Sequence, residues 1–456
     1  MENLLLLTDS YKTSHFKQYP PGTEKVYSYF ESRGGGWKEI VFFGLQYYLK
    51  KYLEGVRGTS DVILEARDIL IAHIGQFNHE GWHHILDKHQ GKLPVSIKAV
   101  PEGTVVPVHN VLMTIENTDP KCYWLTNYLE TLLVQIWYGC TIATQSREMK
   151  KILLKYLELT GTPADVDFKL HDFGFRGVSS VESAGVGGAA HLVNFKGTDT
   201  LAGIMLARKY YGADMPGFSI PAAEHSTITS WGREYEVDAY KNMLEQYPTG
   251  LVAVVSDSYN VYNACRNVWG EQLRERVLSR DGTVVIRPDS GDPVETVQNV
   301  LYTLAEKFGT NQNSKGFKVL PPQLRVIQGD GIDLNMMGRI LENMRLHGYS
   351  ADNIAFGSGG GLLQKLNRDT CKFAFKCSSV TVNGIERNVW KEPVGDSGKN
   401  SKRGRLALVR TFEGIKTIQE KDLGYVNLPN ELVEAFRDGK VLKEYDFESI
   451  RERAKI

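Results

Sequence analysis

Leu251-Val-Ala-Val-Val-Ser-Asp257 is the first of four apolar runs that stop abruptly on an acidic residue or on glycines. The others are Thr283-Val-Val-Ile-Arg-Pro-Asp-Ser-Gly291, Leu324-Arg-Val-Ile-Gln-Gly-Asp-Gly331 and Asn353-Ile-Ala-Phe-Gly-Ser-Gly-Gly-Gly361. Their apolar parts are rich in Val and Ile and too short for helices, which is typical of buried parallel strands. Successive run ends lie roughly 30 to 40 residues apart, enough for a strand and a returning helix. Because parallel strands end on one face, the sequence predicts that these polar ends meet at one mouth.

Composition narrows the class of protein. The 456 residues carry 54 Lys+Arg and 54 Asp+Glu, so there is no net basic field to attract nucleic acid or a membrane surface. The apolar run Leu4–Leu7 is too short for a signal peptide or a membrane span. Five cysteines without a CxxC pair favour a reducing, cytoplasmic compartment. Cys371 and Cys377 are interpreted as core thiols, with a zinc role as the less favoured alternative.

The alternation of strands and helices extends only from about Phe168 to Leu366. Short antiparallel strands are predicted on both sides of it, within Lys92–Thr118 and at Phe373–Val382, Asn388–Lys391 and Arg405–Arg410. Helical stretches are predicted around Val62–Phe77 and Cys122–Leu159. We therefore predict a central α/β domain over 161–366 and a β-rich domain built from both chain ends, 1–160 and 367–456.

Two acidic residues stand where helices are predicted to begin. Asp292 precedes Pro293, the residue favoured at the first helical position, so it is predicted to cap a helix that runs to about Phe308. Asp257 stands just before the predicted helix Tyr259–Ser279. It is either the N-cap of that helix or a site residue at the strand end, and the spacing leaves both open.

Two of the four strand ends carry groups that bind phosphate. Gly357-Ser-Gly-Gly-Gly361 exposes backbone N–H groups between a strand and a helix, which is typical of a phosphate-binding loop, although a flexible turn stays open. Arg287 and Asp289 place a cation and an anion together. Arg binds phosphate oxygens in a forked geometry and Asp holds ribose hydroxyls or hydrated Mg²⁺. A local ion pair that closes the turn is the alternative.

Three earlier segments are dense in residue types that do chemistry. His171–Gly177 holds Phe173, which can stack on a flat heterocycle, and Arg176, which can face phosphate. Asn194–Thr200 repeats that density, and Pro221–Ser226 sets a histidine beside a glutamate. That histidine is either structural or part of the same mouth.

One motif points to a different class of enzyme. His79-Glu-Gly-Trp-His83 matches the H-E-x-x-H zinc-protease signature, which requires a continuous helix. Gly81 weakens such a helix, and no third ligand follows at the expected spacing. We interpret the segment as a histidine-rich, solvated helix.

The chain closely resembles the nicotinamide phosphoribosyltransferases, within the type II phosphoribosyltransferase family, over nearly its whole length. The matching stretches are Thr8–Lys12, Tyr27–Glu31, Glu116–Pro120, Cys122–Asn127, His171–Ser180, His191–Thr200, Pro221–Thr227, Val255–Tyr259, Ile286–Gly291, Gln328–Gly331 and Gly357–Leu366. The glycine-rich Gly34–Trp37 departs from the family pattern, in which a more charged segment follows Arg33.

The resemblance implies an irregular α/β barrel with a β-rich domain, working as a homodimer whose subunits share active sites. It implies the reaction of nicotinamide with 5-phosphoribosyl-1-pyrophosphate to give nicotinamide mononucleotide and pyrophosphate in NAD salvage. Mg²⁺ is the implied cofactor, near Asp257 and through pyrophosphate. ATP is the implied co-substrate, hydrolysed through phosphorylation of His225. A nicotinate phosphoribosyltransferase and a non-catalytic signalling or binding protein are the alternatives.

The resemblance also assigns site residues by subunit. One subunit supplies Phe173, Arg176, Asp199, His225, Asp257, Arg287, Asp289, Gly329, Asp330 and Gly360. The partner supplies Asp9, Tyr11, Arg33, Arg368, Lys376, Lys391 and Lys399. In this assignment His225, Asp257, Asp289 and Arg287 are catalytic, and Phe173, Asp199, Tyr11, Asp9 and Arg287 bind nicotinamide. The phosphates and the donor are bound by Arg176, Arg33, Gly329, Asp330, Gly360, Arg368, Lys376, Lys391 and Lys399.

Overall fold

The computed structural model describes residues 3–392 and 400–456. Within them the chain forms two compact units. Unit 1 comprises Met1–Thr144, Lys209–Ala213 and Leu366–Lys455, and unit 2 comprises Gln145–Arg208, Asp214–Lys365 and Ile456. The divisions at 144/145 and 365/366 compare with 160/161 and 366/367 expected from the sequence. Among the described residues, no helix is both long and apolar enough to span a membrane.

The strands of the described chain are β1 (Thr23–Ser32), β2 (Glu39–Val41), β3 (Val95–Ala99), β4 (Val105–Pro107), β5 (Val111–Asn117), β6 (Leu170–Asp172), β7 (Gly197–Thr198), β8 (Thr249–Val255), β9 (Asp281–Arg287), β10 (Asn311–Gln312), β11 (Lys318–Val319), β12 (Leu324–Gln328), β13 (Ile354–Ser358), β14 (Phe373–Val382), β15 (Ile385–Asn388), β16 (Leu406–Thr411), β17 (Gly414–Gln419), β18 (Val433–Arg437) and β19 (Lys440–Val441).

The α-helices are α1 (Leu45–Tyr48), α2 (Ser60–Ile74), α3 (His79–His89), α4 (Leu125–Tyr128), α5 (Glu130–Leu133), α6 (Ile136–Thr160), α7 (Val181–Leu192), α8 (Leu201–Tyr211), α9 (His225–Thr229), α10 (Glu236–Gln246), α11 (Val261–Asn263), α12 (Arg274–Leu278), α13 (Pro293–Phe308), α14 (Leu334–Leu346), α15 (Gly360–Leu363), α16 (Leu423–Val426) and α17 (Phe447–Ala454). A π-helix, Ala264–Gln272, joins α11 to α12.

Unit 1 is built on an antiparallel sheet. Among the described residues it has seven strands in the order β15-β14-β1-β5-β3-β18-β19. Strands from the first 120 residues form the middle of this sheet and strands from the last 90 or so flank them on both sides, because β1 pairs with β14 and β3 pairs with β18. The prediction of a β-rich part built from both chain ends is confirmed.

Unit 2 contains the predicted parallel sheet. Its described strands follow the order β7-β6-β13-β12-β9-β8, and every neighbouring pair is parallel. The segment after β7 then bridges both edges, since Phe218 pairs with Gly197 and Ala222 pairs with Ala253. These single bridges complete the ring without forming a regular strand. The predicted irregular α/β barrel is confirmed, and so are its four predicted parallel strands, β8, β9, β12 and β13.

The interior of this ring is apolar along the strands and polar towards their C-terminal ends. Its buried side chains are Ala253, Val285 and Ile327, with Phe173, Ile220 and Ala355 packed against them. Side chains on one face of a strand recur every second residue. Two residues beyond Val285, Ile327 and Ala355, the same face therefore carries Arg287, Gly329 and Gly357. The two-residue repeat of side chains along a strand therefore directs these predicted site residues towards the mouth of the barrel.

One predicted strand is misplaced. The sequence predicts Asn388–Lys391, whereas β15 covers Ile385–Asn388. Asn383 and Gly384 both adopt positive φ, 50° and 73°, and form a two-residue turn that pairs Val382 directly with Ile385. Asn-Gly between two strands is a strong hairpin signal. The strand therefore starts immediately after it, three residues before the predicted position.

The predicted helical stretch Cys122–Leu159 is confirmed, and it consists of α4, α5 and α6 in succession. The start of another predicted helix needs correction. The helix predicted over Tyr259–Ser279 begins at Val261, and its N-cap is Asn260, whose side chain accepts from the N–H groups of Tyr262 and Asn263. Asp257 is therefore not a helix cap.

The other capping prediction is confirmed. Asp292 accepts hydrogen bonds from the N–H groups of Val294 and Glu295, both at 3.0 Å, and Pro293 occupies the first position of α13. This cap fixes the direction of the chain immediately after the polar segment at the end of β9, which contains Arg287 and Asp289.

Candidate active site

A cavity of about 1070 Å³ opens where the strands of unit 2 end. It is lined by Phe173, Phe175, Arg176, Gly177, Asp199, Thr200, Glu224, His225, Ser226, Arg287, Asp289, Gly329, Asp330, Gly331, Ile332, Gly359, Gly360, Gly361 and Lys365. Nine of the ten residues assigned to one subunit by the resemblance lie in this lining. The exception, Asp257, is held behind His225.

Phe173 lies on the glycines at the ends of two strands. A Cβ added to Gly357 would stand 1.9 Å from the Phe173 ring, and one added to Gly329 would stand 3.2 Å from it. A hydrogen bond holds the turn that carries the Phe173 ring: the buried carboxylate of Asp172 accepts from the N–H of Gly174 at 2.7 Å. The ring is thus set directly against backbone at the base of the cavity.

Asp199 is an ionised acceptor at the same level. His171 Nε2 donates to its Oδ1 at 3.0 Å, and the Ser219 hydroxyl donates to the same oxygen. Burial alone would raise the pKa of Asp199, but these hydrogen bonds and the charge of Arg287 hold that pKa below its ordinary value. Oδ2 receives neither bond, so one carboxylate oxygen stays available to a ligand.

Charges of both signs meet at the ends of β9 and β12. Arg287 lies 3.8 Å from Asp289, and its Nε is buried without a hydrogen-bond partner among the described residues. Burial raises the pKa of Asp289, and the neighbouring carboxylates of Asp257 and Asp330 raise it further. A buried guanidinium N–H without a partner calls for an anionic oxygen, and three crowded carboxylates call for a cation.

His225 is held by a carboxylate at its back. Its Nε2 lies 3.1 Å from Asp257 Oδ1, and the Asp257 side chain is only 5% exposed whereas that of His225 is 48% exposed. A neutral imidazole that donates to Asp257 carries its lone pair on the other ring nitrogen. The exposed imidazole is thus oriented as a nucleophile or base.

The glycine loop after β13 is tightly built. A Cβ at Gly361 would lie 2.4 Å from the backbone oxygen of Ile332, whereas one at Gly360 would meet nothing within 4 Å. Ser358 fixes the loop by donating to the Ile332 carbonyl oxygen at 2.7 Å. The open face at Gly360, with Arg176 and Lys365 in the same lining, is suited to a phosphate group.

The described residues assigned to a partner subunit lie in unit 1. Burial lowers the pKa of Lys376, and the nearby positive charges of Arg33, Arg368 and Lys391 lower it further. The glycine segment after Arg33 makes this approach possible, since the N–H of Gly36 donates to the carbonyl oxygen of Thr370 at 2.9 Å. Four predicted phosphate-binding cations therefore gather in one basic cluster.

Three more residues are predicted to reach the site from the partner subunit. Tyr11 is 57% exposed, and its ring meets that of His15 in an edge-to-face contact with centroids 5.0 Å apart. Asp9 accepts from the Thr131 hydroxyl at 2.7 Å. Lys399 lies outside the described residues.

The sequence assigns no individual role to several residues in or beside the cavity. His171 and Ser219 orient Asp199 from outside the lining, and Glu224, Ser226 and Lys365 belong to the lining. His171 could have been found, since it lies two residues before Phe173 on the same strand face. Ser219 could not, because the segment that closes the barrel has no strand pattern.

Comparison with known proteins identifies the family. The model of the nicotinate phosphoribosyltransferase (NAPRTase) family matches residues 168–439, and the model of the nicotinamide phosphoribosyltransferase N-terminal domain matches residues 3–97. The chain belongs to the nicotinate phosphoribosyltransferase family. It is thus a phosphoribosyltransferase, an enzyme of the pentosyltransferase class.

Full-length relatives refine this family assignment. The chain is 52% identical over 462 residues to a nicotinamide phosphoribosyltransferase of Xanthomonas campestris pv. campestris (strain 8004), with 100% of this chain and 98% of the relative covered. It is 33% identical over 491 residues to a nicotinamide phosphoribosyltransferase of Acinetobacter baylyi (strain ATCC 33305 / BD413 / ADP1), with 99% and 97% covered.

Solved structures share the fold of this family member at low sequence identity. A nicotinate-nucleotide pyrophosphorylase from Pyrococcus furiosus superposes with a TM-score of 0.61 at 15% identity, covering 99% of this chain and 95% of that one. Human nicotinic acid phosphoribosyltransferase superposes with a TM-score of 0.57 at 14% identity, covering 98% and 93%. The fold is that of the type II phosphoribosyltransferases.

Proposed function

We propose that this chain is a nicotinamide phosphoribosyltransferase of NAD salvage, acting in the cytoplasm. The ring nitrogen of nicotinamide forms a bond to C1 of 5-phosphoribosyl-1-pyrophosphate, and pyrophosphate leaves with the electron pair of the broken C1–O bond. The observation that carries the proposal is the acceptor-only carboxylate of Asp199 in the same cavity as the Phe173 ring. The names of the two full-length relatives support it.

Base recognition follows from these two side chains. The pyridine ring stacks on Phe173 and is covered on its other face by Tyr11 of a second subunit, each face contributing on the order of 1 kcal/mol. Oδ2 of Asp199 accepts from the carboxamide NH₂ of nicotinamide. The carboxylate of nicotinate has no proton to donate and would face a like charge, which disfavours the alternative activity.

The phosphoribosyl donor is matched by the charges around the mouth. Arg287 and Arg176 bind pyrophosphate oxygens, and Arg287 offers a buried N–H that has no hydrogen-bond partner within residues 3–392 and 400–456. Asp289 holds the ribose hydroxyls, with Gly329 and Asp330 beside the ribose phosphate. The Gly360 loop binds the 5′-phosphate, together with Arg33, Arg368, Lys376, Lys391 and Lys399 of the second subunit.

Magnesium suits this donor set. Asp257, Asp289 and Asp330 bring together carboxylates, and crowding with burial raises the pKa of Asp289. Oxygen ligands of this kind are those that Mg²⁺ prefers. These residues would hold the ion directly or through water, and the ion would neutralise charge on pyrophosphate.

Catalysis then needs no covalent nucleophile on the path to product. Departure of pyrophosphate leaves positive charge on the ribose ring, and the reaction is accelerated by alignment of the base and by charges placed in advance. Phe173 and Asp199 align the base, Asp289 and Asp330 lie near the developing positive charge, and Arg176 and Arg287 receive the leaving group.

His225 supports a second chemical step, the hydrolysis of ATP. Attack by its exposed ring nitrogen on the γ-phosphorus would form a P–N bond and release ADP. Water would then cleave that bond and give phosphate. Asp257 positions the ring and stabilises its positive charge. We infer that this cycle is coupled to tighter binding of the donor.

We expect His225→Ala to lower ATP hydrolysis at least about a hundredfold, because the covalent route is lost, while slow ATP-independent synthesis of the mononucleotide continues. Phosphate release and mononucleotide formation are measured separately. His347→Ala, which removes an exposed histidine of α14's C-terminus, is the matched control and keeps both activities. Normal ATP hydrolysis by His225→Ala would refute the phosphohistidine assignment.

The proposed phosphoribosyl transfer is tested by measuring turnover of nicotinamide and of nicotinate side by side. A larger kcat/KM for nicotinamide supports the proposal, and a larger value for nicotinate identifies the nicotinate enzyme instead. Calorimetry that detects no binding of 5-phosphoribosyl-1-pyrophosphate would point to the non-catalytic role.

A further inference from the structure

A second group of ligand-type side chains lies in unit 1. His84 Nε2 and His89 Nε2 lie 2.9 and 2.7 Å from the same oxygen, Oδ2 of Asp119. The buried thiol of Cys122 completes the group, and all four ligand atoms lie within 4.8 Å of one another. Among the described residues, this is the group of three or more His, Cys, Asp or Glu side chains that could hold a metal ion.

Local structure brings these four residues together. Helix α3 carries both histidines in its last two turns and ends at Gln90, which takes a left-handed conformation with φ 53°. The expectation that Gly81 weakens this helix is wrong. Gly81 lies in the first turn, and a Cβ there would stand 2.4 Å from the side chain of the N-cap residue Asn78, so glycine makes room for the cap.

The two carboxylate oxygens of Asp119 have different partners. Oδ1 accepts from the N–H of Lys121 at 2.8 Å and caps the 3-10 helix Pro120–Cys122. Oδ2 is thereby directed at the two histidines. The cap also brings the Cys122 thiol to the same side, three residues further along.

The pattern of this group is that of a zinc site. A helix supplies H-x4-H and a turn supplies D-x2-C, which parallels the helix and turn pairs of zinc fingers with Asp in place of one Cys. Bonds of about 2.0 to 2.3 Å in a tetrahedron separate ligand atoms by about 3.3 to 3.8 Å. The observed separations, from 2.7 Å to at most 4.8 Å, bracket that range.

We propose that His84, His89, Asp119 and Cys122 form a structural Zn²⁺ site that joins α3 to the turn after β5. Four protein ligands make a closed site, which is typical of structural and not catalytic zinc. Two neutral imidazoles, one carboxylate and one thiolate balance the charge of the ion. The site belongs to unit 1 and has no role in the proposed transfer reaction.

The competing explanation is a hydrogen-bonded His–Asp–His group beside an inert thiol. Burial opposes ionisation of Asp119, but hydrogen bonds from His84, the Lys121 N–H and His89 hold its pKa at about 2. Burial and the nearby Asp119 raise the pKa of Cys122 to about 12. The metal-free thiol is therefore protonated, and zinc binding must release its proton. Metal uptake with thiolate coordination distinguishes the two explanations.

The test uses the untagged full-length chain, stripped with a chelator, loaded with ZnCl₂ and passed through gel filtration. Elemental analysis is expected to give about one zinc per chain. Asp119→Asn keeps the helix cap but weakens the ligand, and Cys122→Ala removes one, so both are expected to bind zinc at least about tenfold more weakly.

The H-E-x-x-H histidines provide a matched control on the same helix. His79 and His83 stack on each other with ring centroids 4.2 Å apart, outside the proposed site. His79→Gln/His83→Gln is expected to retain one zinc. Loss of zinc from this variant, with retention by Cys122→Ala, would overturn the assignment.

Cobalt identifies the ligands even where a variant is destabilised. CoCl₂ added to the stripped chain is expected to give the visible bands of tetrahedral Co²⁺ and a thiolate-to-cobalt charge-transfer band. Cys122→Ala is expected to lose the charge-transfer band. Absence of that band from the unmodified chain, or uptake of less than about a tenth of an equivalent of zinc, would show a purely hydrogen-bonded group.

Discussion

At the scale of the residue, we expect the carboxylate of Asp199 to set the choice between amide and acid. Because Oδ1 is occupied by His171 and Ser219, a ligand meets Oδ2, which can accept but not donate. We expect Asp199→Ser to lower the ratio of kcat/KM for nicotinamide over nicotinate by about tenfold or more, since a hydrogen bond to a charged group is worth about 1.5 to 3 kcal/mol. Initial rates with each base at saturating donor measure the ratio.

Two further variants separate charge from shape. Asp199→Asn keeps the outline of the side chain and adds an NH₂ donor, so it is expected to shift preference toward nicotinate. Asp167→Asn removes a carboxylate that pairs with Lys150 and does not line the cavity, and it is expected to leave the ratio unchanged. An unchanged ratio in Asp199→Ser would remove Asp199 from base selection.

At the scale of the element, we expect the end of β13 to determine where the base lies. A methyl group at Gly357 would overlap the Phe173 ring, at 1.9 Å, so Gly357→Ala must displace the stacking surface. We expect kcat/KM for nicotinamide to fall by about ten- to a hundredfold, the cost of a misplacement of about 1 Å, with little change in donor binding. Steady-state kinetics and calorimetry with the donor measure the two effects.

A glycine elsewhere in the same unit serves as the control. Gly338 lies inside α14, where an added Cβ would be 4.0 Å from Ile152, an ordinary contact. Gly338→Ala is expected to keep full activity and to stabilise the helix by about 1 kcal/mol. Equal activity in Gly357→Ala would mean that Phe173 does not hold the base.

The strand ends show which parts of the elements can be predicted from the sequence. The apolar runs before Asp257, Asp289 and Asp330 have the length and composition typical of buried parallel strands, so they can be predicted without a structure. The starts of β15 and of the helix after Asp257 differ from the prediction because short turn signals, Asn383-Gly384 and Asn260, set those boundaries. Local side-chain hydrogen bonds, not periodicity, decide such positions.

At the scale of the whole molecule, the site draws on residues that no local pattern connects. Arg33 and Lys376 come from opposite ends of the chain, and β1 brings them together by pairing with β14. Ser219 reaches Asp199 through a segment that is not a strand. Such meetings depend on the pairing of distant elements, which spacing alone does not predict. The family resemblance implies Arg33 and Lys376 as site residues but not Ser219.

Stability of the folded chain carries a pH dependence from one buried acid. Burial raises the pKa of Glu102 to about 7, against partial compensation by the N–H groups of Gln46 and Gly44 and the hydroxyl of Tyr211. Between about pH 4.5 and 7 the folded state therefore binds more protons than the unfolded state. Stability contributed by Glu102 falls as pH rises through that window, by about 3 kcal/mol in all.

We expect Glu102→Gln to flatten the decline in unfolding free energy between pH 5 and 7, because its amide does not titrate. Urea unfolding at both pH values measures the slope. Asp172, whose pKa burial raises to about 6, leaves a smaller decline of the same sign. Glu80→Gln, an exposed change on α3, is expected to keep the original slope, and the same slope in Glu102→Gln would show that Glu102 ionises normally.

Shared active sites predict recovery of activity when two inactive chains are mixed. The cavity carries Arg176, whereas the basic cluster of unit 1 carries Lys376. If one site uses Arg176 of one subunit and Lys376 of its partner, a dimer of Arg176→Ala and Lys376→Ala chains has one intact site and one doubly defective site. Random pairing makes about half of the dimers mixed, so about a quarter of full activity is expected to return.

Co-expression of the two chains with different tags isolates the mixed dimer for turnover assays, and because one of its two sites is intact, about half of full activity is expected from it. Pairing Arg176→Ala with Asp289→Asn is the control, because both defects then lie on the cavity side and every site keeps one. That pair is expected to stay inactive. If each site instead used residues of a single chain, the Arg176→Ala and Lys376→Ala pair would also stay inactive, and the basic cluster would have to act within its own subunit.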